Sequence, residues 1–125
     1  MGDAVTTQIL SQSPSRLVVK FLNISDGTGE ADVVKVDVSA LTPACSLVTI
    51  EKVQYMTRGM GVNMYWEANA DVLALLIPTD SIGEMTFSPP ISNDAGTGVT
   101  GDIGFTTVGH TNGDIYVIVL TLRKK

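Results

Sequence analysis

The sequence is poor in the side chains from which reactive sites are usually built. Among its 125 residues there is one cysteine, Cys45, and one histidine, His110. A single cysteine excludes an intrachain disulfide and a thiolate metal cluster. The histidine lies in a predicted loop without the partners of a catalytic triad or a metal site. We therefore expect a non-enzymatic protein with no catalytic residue, no cofactor and no metal ion.

Charged residues are also scarce, at 17% of the chain, and acidic ones predominate. The net charge of -5 argues against nucleic-acid binding, which requires a basic face. No apolar run approaches the ~20 residues that span a bilayer. The N-terminus also lacks the basic and apolar regions of a signal peptide. We expect proteins as partners, rather than nucleic acid or a membrane.

Hydrophobic residues, in contrast, make up 44% of the chain. They recur with period two, as in Leu17, Val19 and Phe21, and no segment shows a capped helical stripe. About eight short strands separated by turn residues predict a single antiparallel β-sandwich over residues 16–125. A jelly roll and an Ig-like sandwich both fit this all-β pattern.

Residues 98–125 contain the most informative pair of strands. The dipeptide Asn112-Gly113 separates two β-rich runs, which predicts a β-hairpin. In the second run both faces are apolar, with Tyr116 on one face and Val117 and Val119 on the other. A strand that is apolar on both faces is expected in the middle of a sheet, covered on each side.

An irregularity is predicted in the long run that begins at Leu47. Val48 and Ile50 have one parity, whereas Val53 and Tyr55 have the other. A β-bulge near residues 51–52 would bring all four side chains to one face.

Two further stretches carry specific expectations. The continuous apolar run 72–77 predicts a buried strand. In the alternating segment 32–38, we expect Val34, Val36 and Val38 to point inward.

The first 15 residues are polar, and only Ile9 and Leu10 offer an apolar anchor. One interpretation is a frayed terminus. The other, which we adopt, is an extended N-terminal arm over residues 1–15 that contacts a neighbouring subunit.

Two short motifs have little predictive value. Residues 96–101 spell G-x-G-x-x-G but lack the strand before and the helix after that dinucleotide binding requires. Asp26, Glu30 and Asp32 crowd one turn and could hold a hard cation, although their spacing is not that of an EF-hand. An acidic turn exposed to solvent explains them equally well.

Tyr55, Tyr65 and Trp66 form an aromatic zone together with nearby methionines. Core packing explains such a zone, and so does a contact surface. A carbohydrate-binding sandwich would need these rings to be exposed in a groove.

Four stretches of the sequence together resemble a known protein family. They are residues 23–30 (NISDGTGE), 33–41 (VVKVDVSAL), 64–68 (MYWEA) and 98–124. These stretches are similar to those of small virion structural proteins of tailed bacteriophages. They cover 49 of the 125 residues, and the family has no catalytic motif to carry over.

This resemblance implies a capsid decoration, or cement, protein that is assembled in the host cytoplasm onto the outer surface of a phage head. The implied partners are the major capsid protein and further copies of the chain, most simply as a trimer. A tail or baseplate adaptor is the alternative within the virion. For contacts with a partner, we select the apolar residues Ile9, Leu10, Val117 and Val119, together with Tyr65.

Overall fold

A computed structural model describes residues 4–27, 33–38, 41, 48–68, 72–92, 101–109 and 111–124. The described residues form nine strands. They are β1 (Ala4–Gln12), β2 (Arg16–Asp26), β3 (Val33–Val36), β4 (Val48–Arg58), β5 (Gly61–Trp66), β6 (Val72–Ile77), β7 (Ile82–Ile91), β8 (Ile103–Val108) and β9 (Asn112–Lys124).

The strands form two antiparallel sheets. The five-stranded sheet has the order β1-β2-β9-β4-β7, and the four-stranded sheet has the order β3-β8-β5-β6. After β1 the pairing is nested: β5 pairs with β6, β4 with β7, β3 with β8 and β2 with β9. A long hairpin wound across two sheets is a jelly roll. The all-β sandwich is thus confirmed, and the Ig-like alternative is wrong.

The core lies between the inner faces of the two sheets. Phe105 of the four-stranded sheet meets Phe21 of the other sheet edge-to-face, with ring centroids 5.2 Å apart. Its ring also meets Tyr116 at 5.9 Å. Edge-to-face aromatic pairs add to the stabilisation from burial alone, so Phe105 connects the two layers. The largest fully buried side chains are Trp66, Tyr116, Phe21, Phe105, Leu17, Ile50, Met60, Met64, Ile103, Ile118, Leu120 and Leu122.

Strand β9 occupies the middle of the five-stranded sheet, as its two apolar faces predicted. The predicted hairpin with the preceding strand is wrong, because β8 and β9 belong to different sheets. Gly109, in the connection between the two strands, has a positive φ of 71°. Gly113, near the start of β9, has a positive φ of 91°. The carboxylate of Asp114 accepts a hydrogen bond from the N–H of Thr111 at 2.7 Å. The Asn-Gly dipeptide therefore lies where the chain passes from one sheet to the other, and not in a hairpin turn.

The predicted bulge in β4 is present. The register of β4 shifts between Ile50 and Lys52 against both β7 and β9. Ile50 and Val53 are both fully buried, although their positions in the strand have opposite parity. Because of the extra residue, the even-numbered side chains point inward before the bulge and the odd-numbered ones point inward after it.

Two expectations about burial are wrong. Strand β6 is an edge strand, and Leu73 and Leu76 are exposed by 47% and 54%. Val34 is 47% exposed because the register of β3 shifts between Val34 and Val36. In both strands these side chains point outward, away from the core between the two sheets.

The N-terminal segment differs from the expected extended arm. Ala4–Gln12 pairs along β2, from Ala4 opposite Ile24 to Gln12 opposite Leu17. The ammonium group of Lys124 donates a hydrogen bond to Oε1 of Gln12 at 3.1 Å. Residues assigned to an arm thus form the edge strand of the sheet, and the sandwich begins earlier than residue 16.

Replacing Phe105 with alanine tests the junction between the layers. We expect the free energy of unfolding to fall by about 3–5 kcal/mol, because the ring touches both Phe21 and Tyr116 and its removal leaves a cavity. Val108→Ala is the matched control at a 46% exposed position of the same strand, and should cost less than about 1 kcal/mol. Urea unfolding measures both, and equal losses in the two variants would contradict this core.

Candidate interaction surfaces

The outer face of the five-stranded sheet carries a continuous row of apolar side chains. Cross-strand pairing places Leu22 beside Val117, Val117 beside Met56, and Met56 beside Ile82. We call these four residues the apolar belt. Ile82 at the sheet edge is 79% exposed, and the other three are half-buried. A sheet face that meets solvent normally carries polar residues, so this belt requires an explanation.

The belt broadens into neighbouring rows. Ile24 pairs with Ile115 on one side, and Ile24 is 48% exposed. On the other side, Val119 lies between Lys20 and Gln54. A shallow groove of about 420 Å³ runs along the β4 end of this surface. Its lining is formed by Gln54, Tyr55, Met56, Ile82, Gly83, Glu84, Val117 and Val119.

The same outer face holds most of the basic residues of an acidic chain. Glu51 receives a hydrogen bond from Arg16 at 3.1 Å, and Glu84 pairs with Lys52 at 2.7 Å. In the described parts of the chain, the other basic residues of this face have no carboxylate partner. Five of the eight basic residues are on this face, namely Arg16, Lys20, Lys52, Arg58 and Arg123.

The outer face of the four-stranded sheet is different in character. Val34 and Tyr65 both pair with Gly104, and Tyr65 also pairs with Leu73. Nδ2 of Asn63 donates a hydrogen bond to the hydroxyl of Tyr65 at 3.4 Å. These paired positions carry no charged side chain, in contrast to the outer face of the five-stranded sheet.

The five residues selected from the sequence therefore fall in separate places. Val117 and Val119 share the outer face of the five-stranded sheet, whereas Tyr65 lies on the opposite face of the molecule. Ile9 and Leu10 are 52% and 49% exposed on β1, at the edge of the five-stranded sheet. Their contact with a partner remains a prediction.

Leu22, Met56 and Ile82 are absent from the residues selected from the sequence for partner contacts, although a contact surface is one interpretation of the methionines near Tyr55. The alternating pattern of β2 predicts that Leu22 points outward, because Phe21 before it points inward. Met56 required the bulge to be placed first, and Ile82 required knowledge that β7 pairs with β4. Only the register shows that the three residues form one row.

Reactive clusters are not found among the residues that the structure describes. No group of three or more His, Cys, Asp or Glu side chains within them could hold a metal ion. Cys45, His110, Glu30 and Asp32 lie outside the described residues, as do residues 96–100 of the glycine motif. The side chain of Asp26 is likewise not described, so the proposed cation turn stays a prediction. None of the described residues belongs to a helix that could cross a membrane.

The aromatic zone does not form an exposed platform. Trp66 is 1% exposed and packs in the core, while Tyr55 and Tyr65 are half-buried and lie in different sheets. Sugar-binding sites need aromatic faces that are open to the ligand. The rings named for the carbohydrate hypothesis therefore do not combine into one groove.

Comparisons with known proteins are limited to the fold. No protein-family profile and no curated sequence matches the chain. The Co(II) form of HppE in complex with Tris buffer is 14% identical, with a TM-score of 0.42, over 93% of this chain and 52% of HppE. The chain thus spans about half of that protein's length.

Two smaller solved structures are similar to this chain to about the same degree. A cupin-superfamily protein from Desulfitobacterium hafniense is 8% identical with a TM-score of 0.37, over 99% of this chain and 80% of its own. A point mutant of CBM29-2, a family 29 carbohydrate-binding module, is 10% identical with a TM-score of 0.42, over 98% and 81% of the two chains. These similarities concern the β-sandwich architecture alone.

The burial of Trp66 gives a direct optical test. It is the only tryptophan, so its fluorescence reports on one position. We expect emission shifted to shorter wavelength than that of free tryptophan, little quenching by acrylamide, and no change when oligosaccharides are added. Guanidinium-unfolded protein is the control for full exposure. Strong quenching in the folded protein, or a shift with a sugar, would contradict the buried ring.

Proposed function

We propose that this protein is a non-enzymatic capsid decoration protein that binds the outer surface of a tailed-phage head. The observation that carries the proposal is the uncovered apolar belt, Leu22, Val117, Met56 and Ile82, on the outer face of a rigid sheet. A contiguous exposed apolar surface of this kind is typical of an interaction site. The four motif stretches that resemble phage virion proteins supply the identity of the shell.

A stiff sandwich suits the mechanical task of a cement protein. The packaged genome strains the junctions between capsid subunits, and a clamp adds buried area at each of many equivalent junctions. Each contact can be modest, because linked copies bind together and their affinities combine. The jelly roll is pre-organised by its core, so little conformational entropy is lost when its outer face docks.

Self-association is the second part of the proposal. Strand β6 is an uncharged edge strand, with Leu73 and Leu76 pointing to solvent. Exposed apolar edge strands are templates for pairing with another chain. Copies meeting along β6 would bring together strands that carry no charged side chain. We therefore assign the trimer contacts to this side and the shell contacts to the five-stranded sheet.

A lysine at the edge of β6 tests the self-association. We expect Leu76→Lys to lower the mass in solution from trimer to monomer, because three ammonium groups would be brought together at the contact. Light scattering coupled to gel filtration measures the change. Thr86→Lys, on the exposed edge strand β7 of the other sheet, is the matched control. If Leu76→Lys keeps the mass of the unaltered protein, β6 is not the self-association site.

The location in the virion is tested by copy number. Heads from a phage lacking the protein should bind the added protein until every equivalent capsid site is filled, far in excess of the tail proteins. Quantitative mass spectrometry of the particles measures the ratio, and heat release of DNA measures the stabilisation. A ratio equal to that of a baseplate protein would support the tail adaptor instead. No binding to either part of the particle would refute a virion role.

A further inference from the structure

We propose that the outer face of the five-stranded sheet recognises an acidic protein surface with an apolar centre. This inference deepens the proposed function, and rests on it for the identity of the shell as the partner. It assigns the chemistry of the partner: carboxylates around an apolar patch that fits the belt of Leu22, Val117, Met56 and Ile82.

The charge distribution carries the first step. The chain has 13 acidic and 8 basic residues, yet this face shows the reverse balance. Its described carboxylates Glu51 and Glu84 are each engaged by one cation of the same face. A third, Asp80 at the end of the face, accepts a hydrogen bond from the N–H of Gly59 at 2.6 Å. A face with an excess of cations on an acidic protein steers association with negative surfaces.

Three cations of this face are not engaged by any described carboxylate. In the described portion of the molecule, Lys20, Arg58 and Arg123 form no ion pair, and Arg58 and Arg123 are exposed. Arg58 flanks the belt near Ile115, whereas Arg123 lies opposite Arg16 at the far end of the sheet. Guanidinium groups bind carboxylates with two parallel hydrogen bonds. Their positions on both sides of the belt match a polar rim around an apolar centre.

The apolar belt favours a protein as the partner. A nucleic acid or an acidic glycan would use the cations but would leave the apolar row in contact with polar atoms. A protein surface satisfies both features at once, because protein interfaces combine an apolar core with charged rims. Ile82, the most exposed large hydrophobic residue in the described part of the chain at 79%, would gain most from being covered.

A second copy of this chain is the less suitable occupant. Two copies meeting through this face would bring together two surfaces on which the described cations outnumber the described carboxylates. Arg16 and Arg123 already face each other across β2 and β9 within one chain. Like charges brought together across an interface weaken it, so the partner has to provide the negative charge.

Charge reversal at the rim tests the electrostatic part. Arg58→Glu and Arg123→Glu are made singly, and Arg58→Lys and Arg123→Lys, which keep the positive charge at the same positions, are the matched controls. The probe is phage heads that lack the protein, at low and physiological salt. We expect each arginine variant to bind roughly fivefold more weakly or worse. We also expect a smaller loss of affinity with added salt than for the unaltered protein, and a salt dependence like that of the unaltered protein for Arg58→Lys and Arg123→Lys.

A polar substitution tests the apolar part. Ile82→Ser changes an exposed edge position, so thermal unfolding should be unaffected. We expect weaker binding to the same heads with an unchanged dependence on salt, because the removed contact is apolar. Thr86→Ser, on the same strand and also pointing outward, is the matched control.

The outcomes separate the two proposals. If the unaltered protein does not bind the heads, the proposed function fails. If it binds and both arginine variants and Ile82→Ser bind equally well, this docking face is wrong while the function stands. If the arginine variants instead lower the mass of the free protein in light scattering, the face holds copies of the chain together, and the inference is overturned.

Discussion

The structure depends on burying the inner face of β9 between its two neighbours and beneath the opposite sheet. Tyr116, Ile118, Leu120 and Leu122 are each fully buried. The last strand of the chain is held by β2, near its beginning, and by β4. Because β2 and β9 are far apart in sequence, their pairing closes the outermost loop of the nested hairpin. The loop-closure entropy this requires is offset by the hydrophobic contact between the sheets, with Phe105 at the junction.

This central position also creates the candidate interaction surface. A strand that is paired on both sides offers no row of unpaired N–H and C=O groups with which another chain could pair. Val117 and Val119 can therefore be apolar without exposing an unpaired edge. The bulge in β4 adds to the effect, because it turns Met56 outward beside Val117. One inserted residue thus decides whether a methionine completes the belt or enters the core.

The two sides of the sandwich differ in charge, and this difference organises the functional proposal. The five-stranded sheet presents cations around apolar side chains, whereas the paired outer positions described on the four-stranded sheet around Tyr65 are uncharged. Such a division allows one molecule to meet a shell on one side and copies of itself on the other. Neither of the proposed contacts requires a chemical step. The contribution of the protein would be buried area, repeated at many sites by symmetry.

The sequence by itself determined where most of the strands lie, which face of most strands is inward, and the bulge in β4. These features follow from period-two hydrophobicity, which is a local property. Tertiary structure alone decided that β8 and β9 belong to different sheets, that β6 is an edge, and that residues 4–12 join the sheet. Each of these depends on which distant strand becomes a neighbour. The apolar belt belongs to the same group, since Leu22, Val117, Met56 and Ile82 become one row only through the pairing register of four separate strands.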